Sequence, residues 1–355
     1  RVQAVPAAGD LVVGVDLGGT NIRVAVYRGL DRLRADREVA GEFGPPPQPL
    51  VTHREKVGEE RSPDNMADRL ARIIGDLLDA AECGDAIVPV GIGIAGMLRG
   101  FDGVMGNSPH LGWRDVPFGA ILHRRMSDNR PSWLFNDVNA ITYGEFALGA
   151  GVGVDDMLAV YVGTGIGGGL VLGGRLVEGA SNCAGEIGHF KVMFGEDAPL
   201  CACGLRGCVE AIIGGRYLQA RIRRELSAGI ESLAVTMAGG DPDTVNPGHV
   251  DQAAAEGDDY ALDLYAEVAP PLACTLGNAI NLLNPARLIL GGGMLSRTPV
   301  LREHVVAALE LTATRALLDE VEVVDAMLGD DAGLVGSALL ACERHAERVA
   351  HEEKS

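Results

Sequence analysis

Three groups of residues in this chain have the types and spacings to do chemistry. The first is Asn136-Asp137, which follows the short apolar run Trp133-Leu-Phe and precedes a helix-like periodicity over Asn139 to Leu148. An acid at the tip of a buried strand, where a helix begins, is placed to face a cleft. There a carboxylate can take a proton from a substrate hydroxyl. Asp is also a common helix cap, and that is the competing role for Asp137.

The second group is Gly185-Glu186-Ile-Gly-His189 with Cys201-Ala-Cys203-Gly-Leu-Arg-Gly-Cys208-Val-Glu210. Three thiolates and one imidazole, His189, Cys201, Cys203 and Cys208, make a closed tetrahedral Zn²⁺ site, which is structural rather than catalytic. Free buried thiols or a disulfide would use the same cysteines differently. A metal clip would gather Glu186, His189 and Glu210, groups able to hydrogen-bond several hydroxyls of a polyol or sugar. Solvated surface charge is the alternative for the two glutamates.

The third group is a set of glycine turns at strand ends. Asp16-Leu-Gly18-Gly19-Thr20-Asn21 joins the apolar run Leu11–Val15 to the alternating Ile22–Tyr27, so it reads as a hairpin tip. Glycine there leaves no side chain between backbone N–H groups and a ligand, which suits a phosphate, and Asp16 beside it suits Mg²⁺. Met157–Val162, Gly163-Thr164-Gly165-Ile-Gly-Gly-Gly169 and Leu170–Leu172 repeat the design. Two such hairpins predict two related domains facing each other, each with one phosphate cradle. A third turn, Gly291-Gly292-Gly293, suits a flat nucleoside, or is a plain strand-to-helix turn. Gly91 to Gly96 and Gly163 to Gly168 both match G-x-G-x-x-G, but neither opens a helix, so a dinucleotide fold is not read from them. G-x-x-x-x-G-K-[ST] is absent, which excludes a P-loop.

The elements that must position these groups follow from pattern. Gly41 to Arg61 is rich in Pro, Gly and charge and reads as an exposed loop. Ser62-Pro63 caps a helix whose Met66, Leu70, Ile73, Ile74, Leu77 and Leu78 face a core. Ile87 to Ala95 is a strand. Ala269 to Leu283 and Val300 to Leu318 read as helices, and Arg287–Leu290 and Val321–Val324 as strands. Gly329 to Gly333 leads into a helix whose Gly336-Ser-Ala338 can pack closely on another element, and the charged tail from Glu343 to Ser355 frays.

Composition bounds the class. At 355 residues with 47% hydrophobic content, the chain forms one large or two moderate domains. A net charge of −19 argues against nucleic acid as a partner. No apolar run approaches the roughly 20 residues of a membrane helix, and Arg1 to Gly9 holds no signal-peptide core. Seven cysteines, three of them crowded, fit a reducing cytoplasm better than a disulfide framework.

Taken together, the motifs over about residues 11–342 resemble those of the ROK family (repressors, open reading frames, kinases), within the actin-like ATPase superfamily. Asp16 to Asn21 resembles the first phosphate motif, Asn136-Asp137-Val-Asn139-Ala140 the catalytic motif, and Gly163 to Gly169 the second phosphate motif. Gly185 to His189 with Cys201 to Glu210 resembles the zinc signature, the most specific of the set. Gly291 to Gly293 resembles the adenosine motif. Leu111-Gly-Trp113 with Arg114-Asp-Val-Pro-Phe is most similar to the glucokinases. There an Asn usually stands where this chain has His110, with Asn107 slightly upstream.

The resemblance implies an α/β, two-domain actin-like (ribonuclease H-like) fold with a cleft between the domains. It places residues 10–135 plus 336–352 in a small domain and 136–335 in a large one. It implies ATP-dependent phosphorylation of a hexose at the 6-hydroxyl, glucose first, with Asp137 as base. Asn107, His110, Asn136, Glu186, His189 and Glu210 then hold the sugar. Asp16, Gly18, Gly19, Thr20, Asn21, Arg23, Thr164, Gly165 and Gly291 to Gly293 hold ATP with Mg²⁺. A cytoplasmic homodimer follows by the same resemblance. N-acetylmannosamine, N-acetylglucosamine, fructose or mannose are the alternative substrates, polyphosphate an alternative donor, and a sugar-responsive regulator without kinase activity the alternative of another class.

Overall fold

The apolar run at 11–15 and the alternation at 22–27 give two strands that pair with each other. In the computed structural model, which describes residues 10–40 and 44–354, β1 (Leu11–Leu17) and β2 (Asn21–Arg28) form an antiparallel hairpin, with Leu17 opposite Ile22. After α1 (Leu30–Ala40), β3 (Val51–Lys56) adds antiparallel to β2. This corrects the expectation of a loop across 41–61, of which residues 41–43 lie outside the described residues. β3 is an edge strand with one exposed face and the other only half-buried, so it needs no apolar alternation, and its polar composition hid it. The expected absence of a signal-peptide core over Arg1 to Gly9 also falls outside the described residues.

The first sheet continues through α2 (Pro63–Ala80), whose N-cap Ser62 accepts a bond from Asn65 N, to β4 (Val90–Ile94), parallel to β1. β5 (Met97–Arg99), β6 (Val104–Ser108) and β7 (Trp113–Val116) make a small antiparallel sheet, followed by α3 (Phe118–His123). β8 (Ser132–Asn136) then pairs parallel to β4 and runs straight into α4 (Asp137–Leu148). The strand order is β3-β2-β1-β4-β8.

β9 (Met157–Val162) is followed by β10 (Ile166–Leu172) and β11 (Arg175–Leu176). Strand structure resumes at Ile166, inside the glycine run that was expected to be turn as far as Gly169. Four helices come next, α5 (Glu210–Ile213), α6 (Gly215–Ser227), α7 (Leu233–Met237) and α8 (Pro247–Ala255). The long α9 (Asp259–Leu283) ends on Asn284 in a left-handed conformation. β12 (Arg287–Gly291) lies parallel to β9, then come α10 (Pro299–Ala308), α11 (Arg315–Leu318) and β13 (Glu322–Asp325), parallel to β12. The single helix expected over 300–318 is broken. Thr312 Oγ1 donates to Ala273 O (2.9 Å) and Thr314 N donates to Asn281 Oδ1 (2.7 Å), so bonds to α9 compete with the helical ladder. α12 (Ala332–Glu352) runs through most of the tail that was expected to fray.

Glycine sets how closely α12 lies on the first sheet. A Cβ at Gly14 would strike the carbonyl of Leu334, one at Gly91 that of Ser337, and one at Gly336 that of Ala140. Adding a methyl group at such a point forces backbone apart, at roughly 1–3 kcal/mol or more. The G-x-G-x-x-G match at Gly91 is therefore partly a packing device. Ser337 Oγ also donates to Val15 O (3.1 Å) inside this layer.

Two compact units result: the described residues of Arg1–Asp155, Gly169–Ala184 and Met327–Ser355, and those of Asp156–Gly168 and Gly185–Ala326. They divide the chain differently from the domain bounds read in the sequence, because α4 packs against α12 and stays with the first unit. No helix among the described residues is long and apolar enough to cross a membrane.

Candidate active site

In the first unit, Asp137 is the first residue of α4, directly after β8. The cap is its neighbour: Asn136 Oδ1 accepts from Asn139 N (3.0 Å), while Asn136 Nδ2 donates to Gly96 O (2.9 Å). Asp137 Oδ1 accepts from Val138 N (3.0 Å), and the residue is half-buried rather than packed into the interior. The positive end of the α4 dipole favours negative charge there. Gly93 passes beneath it, with an added Cβ 3.8 Å from Asp137 Cα.

Asn107 and His110 belong to different neighbourhoods. Asn107 sits on β6, and its carbonyl would lie 2.7 Å from a Cβ on Gly96, the residue that accepts the Asn136 amide. His110 is exposed and stands against Gly19. Its carbonyl accepts from Arg61 Nη1 (2.5 Å), and Trp113 Nε1 donates to Arg61 O (2.6 Å). Arg61 was not singled out in the sequence, because it fell in the presumed loop.

The first glycine turn closes with Gly18 N donating to Asn21 O (3.1 Å), and Thr20 O accepts from Val57 N (2.9 Å). Asp16 is paired with Arg23, whose Nε and Nη2 donate to Asp16 Oδ2 at 3.0 and 2.6 Å. Gly333, in the first turn of α12, brings that helix start close to Asp16, with an added Cβ 3.7 Å from Asp16 Cγ. Its only sequence signal is the Gly329 to Gly333 run.

The second unit holds the other turns and the metal donors. Gly163 N donates to Gly165 O (2.9 Å), Gly163 O accepts from Gly215 N (2.9 Å) and Thr164 O from Arg216 N (3.1 Å). Met294 N donates to Val162 O (3.0 Å), so the Gly291 to Gly293 turn is stitched to the same strand. Gly292 has φ +92°, and an added Cβ would stand 2.5 Å from Val162 N. At Gly291 an added Cβ would meet the Tyr161 ring at 2.8 Å. Gly215 and Arg216, at the start of α6, had no motif to announce them.

One ligand atom from each of His189, Cys201, Cys203 and Cys208 lies within 4.8 Å of the others. Cys203 and Cys208 Sγ are 3.6 Å apart, and Cys201 Sγ is 3.7 Å from His189 Nδ1. A tetrahedral Zn²⁺ with bonds of about 2.3 Å to sulfur needs donor separations of about 3.8 Å, so the set fits. All seven cysteines are free thiols. Lys191 Nζ donates to Cys208 Sγ (2.7 Å), a cation beside the thiolate set. Burial pushes the Cys201 thiol up to about 11.

The remaining face of His189 meets an acid: its Nε2 is 3.7 Å from Glu186 Oε2. Burial raises the Glu186 carboxyl above the usual range, partly offset by His189. Glu210 links the donor set to the second turn, because its Oε2 accepts from Ile166 N (2.9 Å) while its Oε1 lies 3.9 Å from Cys201 Sγ and 3.5 Å from Arg216 Nη2. Glu186, His189 and Glu210 are thus gathered by one clip. In the first unit, the Asn107 carbonyl and the Asn136 amide both meet Gly96, with Asp137 the next residue along.

Comparison with known proteins supplies an independent line. The model of the ROK family matches residues 12–344. The chain is 32% identical over 336 residues to the glucokinase of Streptomyces coelicolor, covering 94% of this chain and 98% of that protein. Among solved structures, a ROK family glucokinase from Streptomyces griseus in complex with glucose and AMPPNP is similar with a TM-score of 0.69 and 29% identity, over 94% of this chain and 99% of that one. The ROK hexokinase of Thermus thermophilus is similar with a TM-score of 0.74 and 29% identity, over 95% and 99%.

Proposed function

The chain belongs to the ROK family and has its two-domain actin-like ATPase fold, and on that footing we propose that it transfers the terminal phosphoryl group of ATP to the 6-hydroxyl of glucose. The observation that carries this reading is the placement of Asp137. It is a half-buried carboxylate at the end of a parallel strand and the start of a helix, with its neighbour Asn136 already spent as the cap.

Asp137 accepts the proton of the 6-hydroxyl as the oxygen attacks phosphorus. Asn136, locked between Asn139 N and Gly96 O, fixes the strand end that carries the base. Asn107, Glu186, His189 and Glu210 hydrogen-bond the remaining hydroxyls. Positioning and charge stabilisation dominate phosphoryl transfer. The glycine turns at 18–21 and 163–165 supply backbone donors for the phosphates, and Gly291 to Gly293 pack against the nucleoside. Asp16 and Arg23 stand beside the first turn, with Asp16 the group to hold Mg²⁺, which neutralises phosphate charge when bound. His189, Cys201, Cys203 and Cys208 would hold Zn²⁺, which would fix the clip. The enzyme works in the cytoplasm as a homodimer.

The test is coupled ADP release across glucose, mannose, fructose, N-acetylglucosamine and N-acetylmannosamine. Glucose gives the highest kcat/KM. Asp137→Asn lowers kcat by about 10²-fold or more while calorimetry still detects glucose binding. Near-normal turnover in that variant overturns the assignment of the base, and a higher kcat/KM on an amino sugar overturns the substrate.

A further inference from the structure

Two of the first-unit residues assigned to the sugar, Asn107 and His110, part company in the structure. The backbone carbonyl of Asn107 lies against Gly96, and Gly96 O accepts from the Asn136 amide, so the chain at Asn107 runs beside the catalytic strand end. His110, three residues on, lies against the first phosphate turn. A Cβ added at Gly19 would stand 2.7 Å from His110 Cβ, 3.0 Å from Cγ and 3.2 Å from Nδ1. Only a glycine lets a side chain come so near.

Four further bonds hold this neighbourhood together and tie it to the same turn. Arg61 Nη1 donates to His110 O at 2.5 Å, and Arg61 Nε donates to Gly58 O at 2.8 Å. Trp113 Nε1 returns to Arg61 O at 2.6 Å. Val57 N, at the start of that segment, donates to Thr20 O at 2.9 Å. Segment 57–61, the loop bearing His110 and the turn at 18–21 therefore form a closed ring of contacts. Arg61 has no carboxylate at ion-pair distance among the described residues, so its charge is spent on carbonyls and adds positive potential beside the turn.

Resting on the kinase reading, we infer that His110 is a positioning residue for the phosphate donor and not a ligand of the sugar, with Arg61 holding it on the turn. The exposed imidazole has a ring N–H available to an anionic oxygen, next to a turn whose backbone suits phosphate. What it recognises is the phosphate chain of a nucleotide. Asn107 keeps the sugar.

Steady-state kinetics with separate titrations of ATP and glucose tests this, together with calorimetry of Mg·ADP and of glucose on the same proteins. His110→Ala raises the KM for ATP and the Kd of Mg·ADP about tenfold, the loss of one hydrogen bond to a charged group, and leaves the KM for glucose within twofold. Arg61→Ala moves the same constants in the same direction by about threefold. Asn107→Ala does the reverse, weakening glucose and sparing Mg·ADP. His110→Asn, which keeps a donor near the position of Nδ1, retains most of the Mg·ADP affinity. If His110→Ala weakens glucose and spares Mg·ADP, or moves neither, the inference is overturned. Absence of ADP release by the unaltered protein with every sugar would instead sink the kinase reading. In that case the Mg·ADP titrations of unaltered and His110→Ala protein still decide the role of His110, and failure of both to bind Mg·ADP overturns it.

Discussion

The glycine turns at 18–21 and 163–165 share a sequence signature, yet they are held by different means. The first is steadied by loops: Val57 N on Thr20 O, and a side chain, His110, resting on Gly19. The second is fixed by a helix. Gly215 N and Arg216 N, at the start of the 13-residue α6, take both Gly163 O and Thr164 O, and Glu210 takes Ile166 N. The turn at 291–293 is stitched on through Met294 N. Like motifs thus make unlike parts: a platform in the second unit stitched to a helix and a strand, and a turn in the first whose surroundings can adjust.

On that contrast, the largest effect of a single methyl group falls on the platform. Gly292→Ala places a Cβ 2.5 Å from Val162 N at φ +92°, where both backbone and left-handed conformation resist it. It should cost about 3 kcal/mol or more, read from the midpoint of a urea melt. A loss below about 1 kcal/mol would mean that the platform yields. A smaller effect is expected on stripping the proposed metal with a chelator. Glu210 spans from Ile166 N to the Cys201 thiol, so release of the clip loosens the second turn. Amide exchange at Ile166 should quicken about tenfold while Val57 and Asn21 in the first unit keep their protection. Equal quickening in both places would show that the metal acts on the whole fold and not on this turn.

How much of this was readable in the sequence depends on whether the information was local. Asp137 at a strand end, the hairpin at 11–28 and the Cys and His donors were legible because alternation, glycine and ligand spacing are written within a few residues of each other. The cap at 136–137 was assigned to the wrong candidate in the competing reading, because both residues can cap and only the fold decides which side chain faces Asn139 N. β3 was missed because an edge strand carries no apolar signal. The break at 312–314 was missed because it comes from Asn281 and Ala273, some thirty residues away. The same holds for Arg61, Gly215, Arg216 and Gly333: each matters through a partner far along the chain, and a single sequence records no such pairing.

The smallest predicted effect bears most directly on the first turn. Gly19→Ala introduces a Cβ 2.7 Å from His110 Cβ and 3.0 Å from Cγ, so something must move. The three nearest atoms all belong to His110, and His110 is exposed, so its loop can give way where Val162 in the platform cannot. The stability loss should be about 1 kcal/mol, while Mg·ADP affinity falls because His110 is displaced from the turn. The nature of the clash fixes which second change relieves it. His110→Ala keeps the Cβ at 2.7 Å and should recover little of the stability, whereas His110→Gly removes that atom and should recover most of it. A double-mutant cycle by urea melts should therefore give a coupling of about 0.5–1 kcal/mol between Gly19→Ala and His110→Gly, and a smaller one with His110→Ala. Mg·ADP affinity stays low in both double variants, since neither restores the imidazole. Zero coupling in both cycles would mean that His110 does not rest on the turn in solution, and the contrast between the two glycine turns would lose its first half.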